Sequence, residues 1–515
     1  MSGDTKDETK VQSWEEIVQA IGNIMDTNLS EDKLVTLENL VQHYRKVKSP
    51  SQHRQNQRKV PPRIISGEWR ERAEESKNLL TTKLQLRDPC LLSMAIFPEN
   101  SIIKKRSLVY WWIGEDLVSQ GGDKTAELVG EEVYSKLLHQ GLIGPNDSDP
   151  SPLMNRCKMH PLIRYRLISE AEEAGLFYFE SKDKTSHEDL KNLSSSRVRL
   201  IVGGEDKIST VINVNQEYLN LPHHWLSNVR KLKVLQLGRW QHSPRHHIEV
   251  DDQKFLDELG VHHKHLKFLS LRGISRITSL PNSIVQLVNL EILDLRACHN
   301  LEKLPEDIAS LKKLRACLAT CQTCYLIERM PKGNEKLSSL QVLKGFVIGT
   351  VRKNPCRISD LRKLTKLRRL SIYIGHGAAR WEEQFESLKE VASLHSLTIS
   401  WGVTSQERRE INSFLPLQLE KLELIGIPVE SIPKWLNPRE LKHLKKLYII
   451  GGKLKSWDHQ EQNEQWSVEI LRLKHLQNLS IGNKEDVLKK FPRLGYFEKI
   501  ICADDDVLWY KSRAV

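Results

Sequence analysis

The sequence predicts an α/β solenoid, a horseshoe of short parallel strands, preceded by a small helical domain and an N-terminal helical arm. Three observations predict it. A leucine pattern recurs through the second half at a nearly fixed interval. The stretch before it alternates helical spacing with a polar, hairpin-like loop. The first 63 residues hold two amphipathic helix candidates and a short basic run. The domains expected are therefore 1–63, 64–190 and 191–515.

Composition narrows the class. The chain has 515 residues, 39% hydrophobic and 28% charged, enough to bury large cores and neither disordered nor fibrous in type. No apolar run approaches the ~18 residues of a membrane span, Cys90 to Phe97 being among the longest. The opening residues, with Asp4, Asp7 and Glu8, do not read as a secretory signal. Eight cysteines are too sparse for a disulfide scaffold. The expected location is cytoplasmic, with nuclear or peripheral membrane placement as alternatives.

In the arm, Val11, Trp14, Ile17, Val18, Ile21 and Met25 share one helical face. Leu34, Leu37, Leu40, Val41 and Tyr44 share another, with Ser30 as an N-cap. Net charge is +12, unevenly spread: residues 1–40 carry nine acids and three bases, while 42–63 carry seven bases and no acid. That basic stretch could attract nucleic acid or anionic lipid, but its Gln, Ser and Pro content reads first as a solvated linker.

In the middle segment, Ser76–Leu86, Leu108–Leu117 and Glu131–Gln140 show helical spacing, and Phe97-Pro98 breaks the chain. GLIGPNDSDP then makes a polar loop before CKMHPLIRYRLISEA. Helices followed by a small β wing predict a winged helix.

In the third segment, L-x-x-L-x-L recurs with its first leucine at 232, 266, 290, 314, 340, 367, 394, 419, 444 and 476. Most intervals fall within the ~20–29 residues of a leucine-rich repeat. In LEILDL, Leu293 and Leu295 alternate with Ile292 and Asp294, the period of a strand, so the leucines face one side. The chain turns at Leu304-Pro305, and Ile308 and Leu311 return to the same core. One such repeat exposes its leucines, and stacking closes them into a continuous core. Cys298 sits where such repeats tuck a side chain under the turn. Residues 190–231 read as degenerate opening repeats, the interval of 34 as an insertion around His242–Asp252, and Gly345 as an irregularity at an apolar position.

Residues between the inward leucines line the concave face and are the candidate partner-binding set: Phe268, Ser270, Arg272, Ile292, Asp294, Arg296, Tyr373, Ser396, Thr398, Ser400, Trp401, Lys446 and Tyr448. Aromatic and basic residues of this kind are common at protein interfaces.

CLLSMAIFPENSIIKKRSLVYWWIGEDLV (Cys90–Val118) resembles the winged-helix segment of plant intracellular nucleotide-binding leucine-rich-repeat disease resistance proteins of the coiled-coil class. The match runs through Phe97-Pro98-Glu99-Asn100, Lys104 to Leu108, and Trp111-Trp112-Ile113-Gly114-Glu115; YSKLLHQGLI and KMHPLIR continue it. The resemblance implies a defence role in plant innate immunity. It also implies partners such as a pathogen effector, a guarded host protein or a full-length immune receptor.

The chain departs from that family in two places. Gly121-Gly122-Asp123-Lys124-Thr125 fails as a phosphate-binding P-loop, because Asp123 separates Gly from Lys and Leu117 stands where the first Gly is needed. The expected form is thus truncated, without a nucleotide-binding domain, a cofactor or autonomous nucleotide switching. Met159 and His160 match the family's Met-His-Asp motif, but Pro161 replaces the acid, leaving His160 a weak cofactor-binding candidate.

No catalytic motif is found, and an enzyme is not expected. Cys317, Cys321 and Cys324 would need a fourth ligand, such as Cys298, to hold zinc, so no metal site is expected. Two rival readings stay open. One is a nucleic-acid-associated regulator using the winged helix and basic linker. The other is an ADP-binding immune switch completed by another chain.

Overall fold

The computed structural model describes residues 88–98, 101–145, 153–159, 161–173, 198–201, 209–213, 217–219, 221, 226, 229–240, 247–251, 253–302, 304–319, 333–348, 357–375, 384–402, 414–457, 465–500 and 507–510. The chain divides into two units, Met1–Ile64 and Ile65–Val515, and everything described lies in the second. Both arm helices, the basic stretch at 42–63 and Ser76–Leu86 lie outside the described residues.

The helical part starts with α1 (Pro89–Ser93), whose cap Asp88 accepts the Cys90 N–H at 2.8 Å, with Pro89 at the first helical position. β1 (Ile103–Lys104) leads into α2 (Lys105–Gly114), in which every residue from Leu108 to Gly114 is buried. A helix apolar on all sides must be covered on all sides. α3 (Ala126–His139) follows, its first turn capped by Thr125. The wing pairs β2 (Ile143–Pro145) antiparallel with β3 (Arg156–Met159), and β1 joins the other edge of β3, giving the order β1-β3-β2. α4 (Pro161–Glu173) completes it. This is the arrangement the sequence predicts. The near-miss P-loop is a tight turn: Lys124 N–H returns to Gly121 O at 3.0 Å, and Lys124 pairs with Glu132 at 2.6 Å.

The repeats form a fourteen-stranded sheet, among the described residues. β4 (Val198–Ile201) runs antiparallel to β5 (Thr210–Asn213) at one edge. A side ladder joins β6 (Tyr218–Leu219), and the sheet continues with β7 (Val234–Gln236). β8 (Glu249–Val250), in the insertion, pairs with β6, and α5 (Phe255–His262) covers the flank. Then come β9 (Phe268–Ser270), β10 (Ile292–Asp294), β11 (Ala316–Leu318), β12 (Val342–Ile348), β13 (Arg369–Ile374), β14 (Ser396–Trp401), β15 (Lys421–Ile427), β16 (Lys446–Gly452) and β17 (Ile470–Lys474). After α6 (Lys484–Lys490), β18 (Tyr496–Ile500) is the last parallel strand, and β19 (Val507–Tyr510) closes the sheet antiparallel.

From β7 to β16 each strand of the large sheet starts two residues after the template leucine, so Leu290 leads to Ile292 and Leu314 to Ala316. Leu293, Leu295, Ile308 and Leu311 meet in one core that runs the length of the solenoid. Each fully buried leucine contributes roughly 1.5–3 kcal/mol. Cys298 closes its turn by donating Sγ–H to Leu271 O at 3.1 Å.

Two details differ from the sequence reading. The copy at Leu476 is not a strand: Leu476 and Leu479 fill the core from the turn side, while the strands lie at Ile470–Lys474 and Tyr496–Ile500. Val468 replaces the leading leucine of the first, and Phe497 the second inward leucine of the other, which hid both. Gly345 is a bulge between Lys344 and Phe346, with φ of 95°, that lets Phe346 take the inward place. A Cβ there would come within 2.7 Å of Ala319 O, so only glycine fits.

Candidate functional site

The concave face is read along two rows, because side chains at i and i+2 share a side of a strand. The first row runs Val234, Phe268, Ile292, Ala316 and Val342, then turns polar at Arg369, Ser396, Lys421 and Lys446, and ends in Ile470 and Tyr496. The second runs Gln236, Ser270, Asp294, Leu318, Lys344, Ser371, Thr398, Glu423, Tyr448, Arg472 and Glu498.

The apolar start of the first row is covered by the winged helix. Val234, Phe268, Ile292, Ala316 and Val342 share a core with Leu108, Tyr110, Trp111 and Ile113. Trp240 of the repeats packs edge-on against Phe97 and Trp111, with centroids 4.8 and 5.8 Å apart. Gly114 allows the close approach of α2: a Cβ there would lie 2.7 Å from Phe268 Cβ and 2.9 Å from Val234 Cγ2.

Charges fix the register of the docked helix. Asp116 pairs with Lys233 at 3.0 Å and also with Lys267, the residues just before β7 and β9. Burial pulls the Asp116 carboxyl up, but its hydrogen bonds to the two lysines win and hold it below the usual carboxylate range. Burial pushes neighbouring Glu115 up to about 7, although Lys233 and the Ser209 hydroxyl favour its charge. Further along, Glu127 of α3 pairs with Arg369. Leu153, beside the wing, packs on Tyr448, Ile470 and Tyr496.

The predicted partner-binding residues therefore divide. Phe268, Ser270, Arg272, Ile292 and Asp294 lie on the concave side but are at most 5% exposed, and Phe268 and Ile292 belong to the domain contact. Arg296 grips Asp294 through Nε and a terminal nitrogen at 2.8 and 2.6 Å. Tyr448 is likewise buried, beneath Leu153. Trp401 corrects the reading outright: it follows Ile399 on the inward side and sits in the leucine core, since neighbouring residues of a strand cannot share a face. Tyr373, Ser396, Thr398, Ser400 and Lys446 remain half-exposed on the face. His160 lies outside the described residues, as do Cys321 and Cys324. Cys298 and Cys317 are buried in the repeat core, and among the described residues no group of three possible ligands gathers for a metal.

The sequence reading missed the residues that complete this strip. Lys421 pairs with Glu423 at 2.9 Å and lies over the Tyr448 ring at 4.5 Å. Arg472 sits between the Tyr448 and Tyr496 rings, at 5.0 and 5.4 Å, and pairs with Glu498 at 3.0 Å. Extending the two-residue offset from each template leucine would have found all of them except those on the two hidden strands.

Residues 210–501 match the family described as leucine-rich repeat region, and residues 96–165 match the winged helix domain of disease resistance proteins. The chain belongs to the leucine-rich repeat family, and the winged helix it carries is of the disease-resistance type. Its curated relatives are plant disease resistance proteins. Disease resistance RPP13-like protein 4 of Arabidopsis thaliana is 29% identical over 402 residues, covering 76% of this chain and 46% of that protein. Disease resistance protein PIK6-NP of Oryza sativa subsp. japonica is 23% identical, covering 70% and 37%. Disease resistance protein RPP8 of Arabidopsis thaliana is 24% identical, covering 70% and 39%. The chain thus spans less than half the length of these relatives. Among solved structures, an internalin from Listeria monocytogenes aligns with 19% identity and a TM-score of 0.36, covering 61% of this chain and 88% of that one. No helix of the described residues is long and apolar enough to cross a membrane.

Proposed function

We propose that the chain acts in plant innate immunity as a disease-resistance-type recognition protein, binding another protein through its repeats rather than catalysing a reaction. The observation that carries this reading is the pairing of a disease-resistance winged helix with a concave face it covers only in part. The strip from β13 to β16 keeps Tyr373, Ser396, Thr398, Ser400, Lys421 and Lys446 half-exposed. Tyrosine with basic and hydroxyl groups on a rigid sheet is the chemistry of a protein-binding surface. The partner is a pathogen effector, a guarded host protein or a full-length immune receptor, met in the cytoplasm or at the inner face of a membrane.

The nucleic-acid reading is weaker because α2 is buried between its own domain and the repeats. It has no free basic face to enter a groove. Recognition of this kind needs no nucleotide switching by the chain on its own.

The test is paired capture from infected and healthy leaf tissue, using the parent chain and a Lys421→Glu, Lys446→Glu double variant. A protein retained by the parent and lost by the variant, whose removal from the plant alters pathogen growth, is the expected result. Identical capture by both chains, or stoichiometric ADP carried through purification, would overturn the reading.

A further inference from the structure

Strand register alone sets out the charge of the strip between β12 and β16. In the first concave row Arg369, Ser396, Lys421 and Lys446 stand in register on four successive strands. In the second, Lys344 on β12 is paired with Ser371, which is followed by Thr398 and Glu423. Lys421 and Lys446 are therefore direct neighbours, about 4.8 Å apart along the sheet, while Lys344 lies three strands from Lys421, roughly 14 Å away.

The acids within reach are already engaged. Glu423 is the single carboxylate on the concave rows of β12 to β16. It is shared by Lys421 at 2.9 Å and the Thr398 hydroxyl at 3.4 Å. Glu127 of α3 is taken by Arg369, Glu131 stands 3.8 Å from Lys105, and Glu420 stands 3.9 Å from Lys445. Neither Lys344 nor Lys446 has an ion pair or a side-chain hydrogen bond among the described residues, and the same holds for the hydroxyls of Ser371 and Ser396. All four side chains are half-exposed. The strip thus presents two ammonium groups and two hydroxyls as donors, with no acceptor of its own to match them.

The third row, two residues further along each strand, is Tyr373, Ser400, Ile425 and Ile450, all half-exposed. An apolar edge therefore runs beside a basic, hydroxyl-lined floor. We infer that the partner recognised by the repeats presents a short acidic segment to this strip. One carboxylate is received at Lys344 and Ser371 and a second at Lys421 and Lys446, while an aliphatic or aromatic side chain lies on Ile425 and Ile450. The inference rests on the reading of the repeats as a recognition surface and adds the chemistry of what is recognised. Charge complementarity carries it, since opposite charge across an interface steers encounter and sets specificity. Extended chain advances about 3.3 Å per residue, so the two acids stand about four residues apart. Carboxylates suit the strip better than phosphates, because the guanidinium that would fork onto phosphate, Arg369, is engaged by Glu127. Nucleic acid fits less well, because Ile425 and Ile450 give a base no aromatic face to stack on.

The test is selection of randomised phage-displayed peptides of about twelve residues by the full chain, then fluorescence anisotropy of the selected peptides made synthetically. The parent should enrich peptides with two acids about four residues apart and an aliphatic or aromatic residue close to them. Lys344→Met and Lys446→Met should each weaken such a peptide about tenfold, the value of one charge-assisted hydrogen bond. Raising salt from about 50 to about 200 mM should weaken binding to the parent more than to the double variant. Lys264→Met, at an exposed lysine just before β9 and away from the strip, should leave binding unchanged. The two strip variants remove half-exposed cations and touch no core leucine, so a thermal midpoint no lower than the parent's confirms that they fold. Neutral or basic peptides that are lost on Ile425→Ala but kept by both lysine variants would overturn the acidic preference while leaving recognition by the strip intact. Absence of enrichment would also overturn it, and capture from leaf tissue then decides recognition separately. Acidic peptides indifferent to every strip variant would remove the strip itself as the recognition surface. A single-stranded DNA oligonucleotide that displaces the acidic peptide and binds more tightly also overturns the inference.

Discussion

Gly114 and Phe268 are packed so closely that a single added carbon on the glycine would lie 2.7 Å from the phenylalanine Cβ. One residue ends α2 and the other opens β9, so their contact fixes how deeply the winged helix sits in the horseshoe. A valine at 114 must push the helix off the sheet. Gly114→Val should cost about 1–3 kcal/mol, as overpacking does, and should make the winged helix more sensitive to limited proteolysis while leaving the repeats intact. Unchanged proteolysis would show that the helix is not seated on β9.

Ile292 and Leu293 are neighbours on β10 that serve two different cores. Leu293 belongs to the solenoid and Ile292 to the winged-helix contact. Leu293→Ala should destabilise the repeats by about 2–5 kcal/mol. Ile292→Ala should instead speed amide exchange in α2 with little effect on the strands around β10. Hydrogen exchange read segment by segment separates the two. Equal loss of protection in both variants would mean that the two cores act as one.

Glu115 gives the domain contact a dependence on pH. Burial first of all raises it to about 7 from a usual value of 4.5. The folded chain therefore holds a proton that the unfolded chain releases between about pH 4.5 and 7, and stability contributed by this site falls as pH rises through that window. Glu115→Gln removes the effect. Urea unfolding at pH 5 and pH 8 should show the variant gaining on the parent at the higher pH; a difference independent of pH would contradict the assignment.

Lys344 works in the opposite sense. Burial and the nearby Arg106, Arg296, Lys421 and Arg369 push it down to about 7. The cost of holding it charged is fully present below that pH and fades as pH rises toward 10.5. Lys344→Met should raise the thermal midpoint at pH 6, with the gain shrinking by pH 9. A midpoint lowered at both pH values would mean that the ammonium has an acceptor in solution.

The repeat architecture was legible because each repeat has the same job. Leucines at fixed offsets must face inward, so Leu269, Leu293 and Leu343 announce their own environment. The two hidden strands escaped because Val468 and Phe497 satisfy the core without fitting the leucine template. The first concave row carried a further signal: five apolar side chains in succession, from Val234 to Val342, cannot face water at a row's worth of exposed area. Such a row calls for some cover, without saying which segment supplies it. Trp401 was misplaced by setting it on the same face as its neighbour Ser400, which the period of a strand forbids.

Local sequence fixed what depends on periodicity and caps: the inward leucines, the Thr125 and Asp88 caps, the bulge at Gly345 and the wing hairpin. Each is set within one turn or between adjacent repeats of the same pattern. Tertiary structure alone decided which concave residues face a solvent-accessible strip and which lie under α2. That depends on two distant segments meeting, Gly114 on Phe268 and Asp116 on Lys233 and Lys267, and the sequence does not encode such a meeting at any fixed spacing.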